Sequence, residues 1–519
     1  MNGAQALVGT MHAAGVRACF ANPGTSELQI VEALSRSKGV RAVLCLFEGV
    51  ATGAADGFGR MSDVPAAALL HQGAGLANGL ANLHNAKRAH TPVVVVVGDG
   101  ATSHAGLGSP LESDVEALAR PMSCWVRTGA DPGALGRDVA AAVAAARQAP
   151  GGVATLVVPS DVADGPGGRV TPAMPVRGYT ELPEERVSHT ARTLSAGREA
   201  VTVLLGGPAL RATGLATAAR IAGATGARLF CEAFPSRLEC GAGVPPIQRL
   251  AGDPVRARQQ LAGTRTLVLA GASRPVAAFA QPGGVSGVLA PPRCEILVLA
   301  GADEDVVGAL AGLADRVAPE PPGRVRSDRA RAAFPSDGVL TAELVAGAVA
   351  AALPDAAIVV DETNSCGPPF ASALARGPRH DLLTLTGFAI GQGLPLSVGA
   401  ALACPGRRVV CLEADGSAMY TLSGLWTQAR EGLDITTIML NNRAYAILRR
   451  EAARVLGADT DLPSSPLFDL SRPPIDFTSI AAGMGLPGGR ARTVRELTDH
   501  LRRAFAEPGP YVIDAHLPT

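Results

Sequence analysis

Two oxygen-bearing side chains, Asp415 and Asn442, stand 27 positions apart in a pattern that suits a hard metal ion. Asp415 lies in Glu413-Ala-Asp-Gly-Ser417, just past the β-like run Arg408 to Leu412, and Asn442 is the second of a tandem Asn441-Asn442 that follows the run Ile435 to Leu440. A helix-like stretch, Leu422 to Glu431, separates them, so the segment reads as a βαβ unit. In a parallel sheet both strands end on the edge where ligands bind, which delivers the carboxylate and the amide oxygen side by side. With a backbone carbonyl just beyond them, at Ala444, these ligands suit Mg²⁺, whose remaining octahedral positions take diphosphate oxygens and water. Gly416 lets backbone N–H groups approach a phosphate closely, and the hydroxyl of Ser417 follows it.

Three more blocks carry chemistry-bearing residues. Glu48 follows the buried-strand pattern Arg41 to Phe47 at once and opens a Gly/Ala-rich helix-like segment, Gly49 to Arg60; taken alone, it is a carboxylate favoured by a helix N-terminus. The stretch Leu385-Thr-Gly-Phe388-Ala-Ile390-Gly-Gln-Gly-Leu-Pro395 is a glycine-rich strand-to-helix turn. Asp361-Glu-Thr-Asn364-Ser365 ends a further strand-like run.

Together the blocks resemble the thiamine diphosphate (ThDP) enzymes, whose motif usually reads Gly-Asp-Gly-Ser and closes on Asn-Asn; Ala414 stands here for the first glycine. The resemblance implies that Asp415, Asn442 and Ala444 hold Mg²⁺ and that Gly416, Ser417, Asn364 and Ser365 contact the cofactor. It implies that Glu48 hydrogen-bonds N1′ of the aminopyrimidine and promotes its imino tautomer. It also implies that Ile390 wedges between the two cofactor rings while the Phe388 carbonyl accepts from the 4′-amino group.

Among relatives the chain resembles both the acetolactate synthase large subunit and benzoylformate decarboxylase. Asn22-Pro-Gly-Thr25-Ser26-Glu27 and His71-Gln-Gly-Ala-Gly75 look like the decarboxylase, which has a small hydroxyl residue where Thr25 stands and a catalytic histidine where His71 stands. Histidine changes charge near neutral pH, so it can donate to a substrate carboxylate and later handle a proton. The plainer reading of His71 is a ring that caps a strand end, and His104 is a second candidate on a loop. The departures are informative. No second histidine stands in Pro275 to Gly283, the synthase signature Arg-His-Glu-Gln reads Leu46-Phe-Glu48-Gly, and its Phe-Gln pair is replaced by Pro110 and Leu111. Beyond Asn442, Ile447, Leu448 and Glu451 are the positions that could face a substrate.

The activity implied is ThDP- and Mg²⁺-dependent decarboxylation of a 2-oxo acid, with release of an aldehyde or transfer of the enamine to a second carbonyl, as in acetolactate synthase-like carboligation. In this family half of each site comes from a neighbouring subunit, which implies a homodimer or homotetramer. Two other classes stay open: a flavin- or nicotinamide-dependent oxidoreductase, given strand ends such as Leu205-Gly-Gly-Pro208, and a non-catalytic regulatory homologue.

Composition narrows the field. The chain has 519 residues, is 47% hydrophobic, and carries no formal net charge, with neither a basic stripe nor an apolar run of about 20 residues. Neither nucleic acid nor membrane is expected as a partner, and the missing signal pattern points to the cytoplasm. Nine cysteines without a CxxC pair read as reduced, mostly packed thiols. Only Lys38 and Lys87 occur, neither in an apolar setting, which disfavours Schiff-base chemistry and leaves the electron sink to a bound cofactor.

These residues need strands to carry them. Two Gly/Pro/charge-rich stretches, Asp161 to Glu185 and Val317 to Gly338, divide the chain. Before, between and after them, β-like runs alternate with helical patterns, which predicts three α/β domains, each a doubly wound parallel sheet. They are an N-terminal pyrimidine-binding domain (1–165), a central Rossmann-like domain (186–318) and a C-terminal diphosphate- and Mg-binding domain (336–519).

Overall fold

The computed structural model describes residues 1–197, 200–279, 284–319, 333–456 and 461–518. Part of the predicted Val317 to Gly338 connection and the end of the Pro275 to Gly283 stretch therefore lie outside the described residues.

The first sheet contains β1 (Ala18–Asn22), β2 (Arg41–Leu44), β3 (Ala66–His71), β4 (Val93–Asp99), β5 (Trp125–Thr128) and β6 (Val153–Pro159), all parallel, in the order β2-β1-β3-β4-β6-β5. β3 and β4 are almost wholly buried, and Val93 to Val97 fill the middle of the sheet, as expected when helices cover both faces. The predicted strand Arg41 to Phe47 is shorter than its apolar run: β2 stops at Leu44, because Phe47 turns the chain into the Glu48–Ser62 helix.

The central chain adds β7 (Val201–Leu205), β8 (Arg228–Cys231), β9 (Leu238–Cys240), β10 (Gln248–Arg249), β11 (Thr266–Ala270) and β12 (Glu295–Ala300). Five of them form a parallel sheet in the order β10-β8-β7-β11-β12. The order reverses between β7 and β11, the place where such folds bind nucleotides. That crevice is closed here by backbone, since a Cβ on Gly206 would stand 2.7 Å from both Gly271 O and Ala272 Cα.

The third sheet contains β13 (Ala357–Glu362), β14 (His380–Thr384), β15 (Val409–Ala414), β16 (Ile435–Asn441), β17 (Gly488–Ala491) and β18 (Tyr511–His516), ordered β17-β18-β16-β15-β13-β14-β9. All its strands are parallel except β9, which leaves the central chain and pairs antiparallel with β14 through Cys240 and His380. One apolar cluster joins the first and third units through the Glu48–Ser62 and Gly393–Ala403 helices. Among the described residues no helix is long and apolar enough to cross a membrane.

Candidate active site

Three neighbouring strands of the third sheet, β13, β15 and β16, deliver one group of candidate residues to a common edge. Asp415 follows β15 and Asn442 follows β16; they are 2% and 8% exposed. The Asp415 carboxylate accepts from the N–H of Gly416 (2.8 Å) and of Arg443 (2.6 Å), and Asn442 Oδ1 accepts from the N–H of Ala444 (3.0 Å). Burial pushes the Asp415 carboxyl up to about 6 despite these donors. A nearby cation has the opposite effect, favouring the ionised form. A carboxylate, an amide oxygen and a backbone carbonyl, with no cationic side chain hydrogen-bonded to them among the described residues, form a donor set that fits a hard divalent ion.

Beyond β13, Asn364 Nδ2 donates to Ser417 Oγ (2.6 Å), and Ser365 Oγ lies 3.5 Å from Asn442 Nδ2. Asn364, Ser365, Asp415, Ser417 and Asn442 thus stand together. Ala414 needs no glycine freedom, because its φ of −80° is ordinary extended backbone. Gly416 makes room for the Tyr445 ring, which a side chain there would overlap. Arg443 holds a left-handed φ of 58° and donates its N–H to Asp415.

Under this edge lie two carboxyl groups to which no sequence motif assigns a role. Glu362 and Glu413 are cross-strand neighbours, 2% and 0% exposed. Glu362 accepts from the N–H groups of Gly391 (2.7 Å) and Gly393 (2.5 Å), and burial still pushes it up to about 7; burial raises Glu413 well above the carboxylate range.

A second group gathers at the edge of the first sheet. Glu48 opens the Glu48–Ser62 helix, is 8% exposed, and accepts from Asn78 Nδ2 (3.1 Å) of the Gln72–Arg88 helix. His71 ends β3 at the N-cap position of that helix, where its side chain makes no cap bond; its Nδ1 lies 2.9 Å from Glu27 Oε2 instead. Glu27, fully buried, also accepts from the Gly24 N–H (2.7 Å), and burial raises its pKa against the pull of Gly24 and His71. Side chains at Gly24 or Gly98 would overlap His71 or Glu27 respectively, so the two glycines leave room for the pair. Nε2 of His71 makes no hydrogen bond among the described residues. No local sequence pattern assigns Glu27 a role. Its signal was faint, because its partner lies 44 residues on. Thr25, exposed, starts the turn leading to Glu27 and lines a cavity with Ser26, Gln29, Ser160, Asp161 and Asp164. His104 lies exposed on a separate turn.

Phe388 and Ile390 sit between the groups, on the loop after β14. Phe388 takes a left-handed φ of 63°, and its ring meets Phe234 edge-on at 4.5 Å. Among the described residues no hydrogen bond joins Thr25, Glu48 or His71 to Asp415 or Asn442. Ile447 and Leu448 are 40% and 43% exposed, whereas Glu451 is drawn to Arg454 at 2.5 Å.

Comparison with known proteins bears on this arrangement. Residues 1–118 match the model of the thiamine pyrophosphate enzyme N-terminal TPP binding domain, and residues 370–515 match that of the C-terminal TPP binding domain. A Mycobacterium tuberculosis protein provisionally named as the acetolactate synthase large subunit IlvX is 52% identical over 100% of this chain and 99% of its own. Benzoylformate decarboxylase of Pseudomonas aeruginosa is 31% identical over 96% of each. Among solved structures, the thiamine diphosphate-dependent 4-hydroxybenzoylformate decarboxylase of Rhodococcus jostii superposes with a TM-score of 0.86 at 25% identity, over 100% of this chain and 99% of that one.

Proposed function

The chain belongs to the thiamine pyrophosphate enzyme family, and from that premise we propose that it is a Mg²⁺-dependent decarboxylase or carboligase acting on a 2-oxo acid. The observation that supports this best is the convergence of Asp415 and Asn442 from the neighbouring strand ends of β15 and β16. Asp415, Asn442 and Ala444 would hold the ion, and Asn364, Ser365 and Ser417 the diphosphate. Bound there, ThDP supplies a carbon nucleophile and an electron sink that let a 2-oxo acid lose CO₂.

The chain's own residues handle protons and position. Glu48, held by Asn78, moves a proton at N1′ of the aminopyrimidine. Phe388 would offer its carbonyl, and Ile390 its side chain, to the aminopyrimidine end of the cofactor. Glu27 accepts from His71 Nδ1–H, which fixes the tautomer and leaves Nε2 to exchange a proton with substrate. Thr25 adds a hydroxyl at the substrate carboxylate. A proton arm of this kind favours aldehyde release, while the likeness to a protein named for acetolactate synthesis keeps transfer to a second carbonyl in view.

The test is to incubate the purified protein with ThDP, Mg²⁺ and a panel of aromatic and aliphatic 2-oxo acids, with and without an aldehyde or 2-oxo acid acceptor, following CO₂ and products. Evolution of CO₂ that depends on both cofactors is expected. Its absence across the panel would count against the reading, and a condensed product only with an acceptor would shift it to carboligation.

A further inference from the structure

The loop that carries Phe388 and Ile390 is gripped by the first unit of the same chain. His84, on the Gln72–Arg88 helix, places Nε2 3.0 Å from Gly387 O. One residue on, Asn85 Nδ2 donates to Ala389 O (2.8 Å), and the Ala389 N–H donates back to Asn85 Oδ1 (3.2 Å). Asn85 is fully buried, and its Nδ2 also reaches Asn82 Oδ1 at 3.0 Å. Gly387 lets the two segments close up, since a Cβ there would stand 3.0 Å from Asn85 Cα and 2.7 Å from His84 Cδ2.

Between the gripped residues lies Phe388, in a left-handed conformation that a non-glycine residue adopts only when its surroundings impose it. A primary amide presents a donor and an acceptor side by side, which matches the C=O and N–H of one residue. Alanine offers neither, and a carboxylate offers only acceptors.

We propose that Asn85 is a positioning residue for the cofactor: its paired hydrogen bonds to Ala389 impose the left-handed turn at Phe388, and so set where the Phe388 carbonyl and the Ile390 side chain meet the aminopyrimidine. This rests on the ThDP reading given above. The metal and diphosphate ligands follow β13, β15 and β16, so the grip governs cofactor geometry separately from cofactor retention.

The experiment compares the full-length parent with Asn85→Ala, Asn85→Asp and, as a milder variant at a half-buried site, His84→Ala. In the cofactor-free proteins, amide hydrogen exchange over 385–393 should quicken at least tenfold in both Asn85 variants and less in His84→Ala. With saturating ThDP and Mg²⁺, cofactor affinity by calorimetry should change less than tenfold, while exchange of the C2 proton of bound ThDP slows at least tenfold. Loss of amide protection with unchanged C2 exchange would overturn the proposal and leave Asn85 a purely structural clamp. If the Asn85 variants fail to fold, His84→Ala carries the same comparison, and unchanged C2 exchange in it despite quickened amides would overturn the proposal. A parent that neither binds ThDP nor exchanges C2 would refute the functional reading instead, while the amide arm still tests the grip.

Discussion

Each carboxyl group at the candidate site has a different partner, and the partner decides what removing it does. Glu48 meets an amide, so Glu48→Gln keeps the size and one acceptor but cannot move a proton; ThDP and Mg²⁺ should still bind while C2 exchange falls on the order of 10²- to 10⁴-fold. Equal exchange rates in parent and variant would remove Glu48 from the chemistry. Glu27 meets an imidazole, so Glu27→Gln should leave His71 free to take the wrong tautomer, lowering kcat on the best 2-oxo acid by roughly 10²-fold with ThDP affinity little changed. A kcat within twofold of the parent would return the pair to a structural role. Of these residues, Glu48, Asp415 and Asn442 were legible as candidates because strand patterns end directly before them, and His71 because its stretch resembles the decarboxylase's. Glu27 and Glu362 were not: what distinguishes each is burial against distant backbone or side-chain groups, which no local pattern records.

At the scale of elements, two helices place the Glu48 cluster against the loop after β14. The Glu48–Ser62 and Gly393–Ala403 helices cross with their backbones touching. A methyl on Gly399 would overlap Ala54 O and stand 2.5 Å from Phe58 N, and one on Gly57 would overlap Leu396 O. Backbone cannot swing aside as a flexible side chain can, so Gly399→Ala should cost at least the usual 1–3 kcal/mol or so of overpacking and lower the melting temperature; an unchanged melting temperature would show that the crossing yields. Under the same crossing, Glu362 ties pH to stability. Its folded-state pKa of about 7 lies above its ordinary 4.5, so between these values the folded chain holds a proton that the unfolded chain has released. Stability should therefore fall as pH rises from about 4.5 to about 7, and Glu362→Gln should flatten that slope by about one proton. The same slope in the variant would mean that other groups carry it. Strands such as β4, β11 and β15 could be read from sequence because their apolar runs are continuous, whereas the alanine-led β3 and β14, which opens on His380 and Asp381, leave no such run. β9, β10 and β17 could not, since two to four residues make no pattern, and β9 finds its partner only after some 140 residues of intervening chain.

At the scale of the whole molecule, the Glu48–His71 group and the Asp415–Asn442 group sit on separate sheets, with no hydrogen bond between them among the described residues. Exposed apolar side chains stand next to both in sequence: Leu28 and Leu46 on the first unit, Met419, Tyr420 and Ile447 on the third. If two chains pair so that the first unit of one faces the third unit of the other, each site takes Glu48 from one chain and Asp415 from its partner, and light scattering should give a dimer or tetramer. A sharper experiment uses two defective proteins. On the proposed reading, Glu48→Gln alone should spoil proton transfer in both sites, and Asp415→Ala alone should spoil metal binding in both. In a mixed dimer, one site collects both lesions and the other collects none. Random reassembly of equal amounts makes half the dimers mixed, so roughly a quarter of the parent's activity should return from two inactive preparations. Should each chain instead build a complete site from its own Glu48 and Asp415, no pairing restores an intact site, and the mixture stays as inactive as its components.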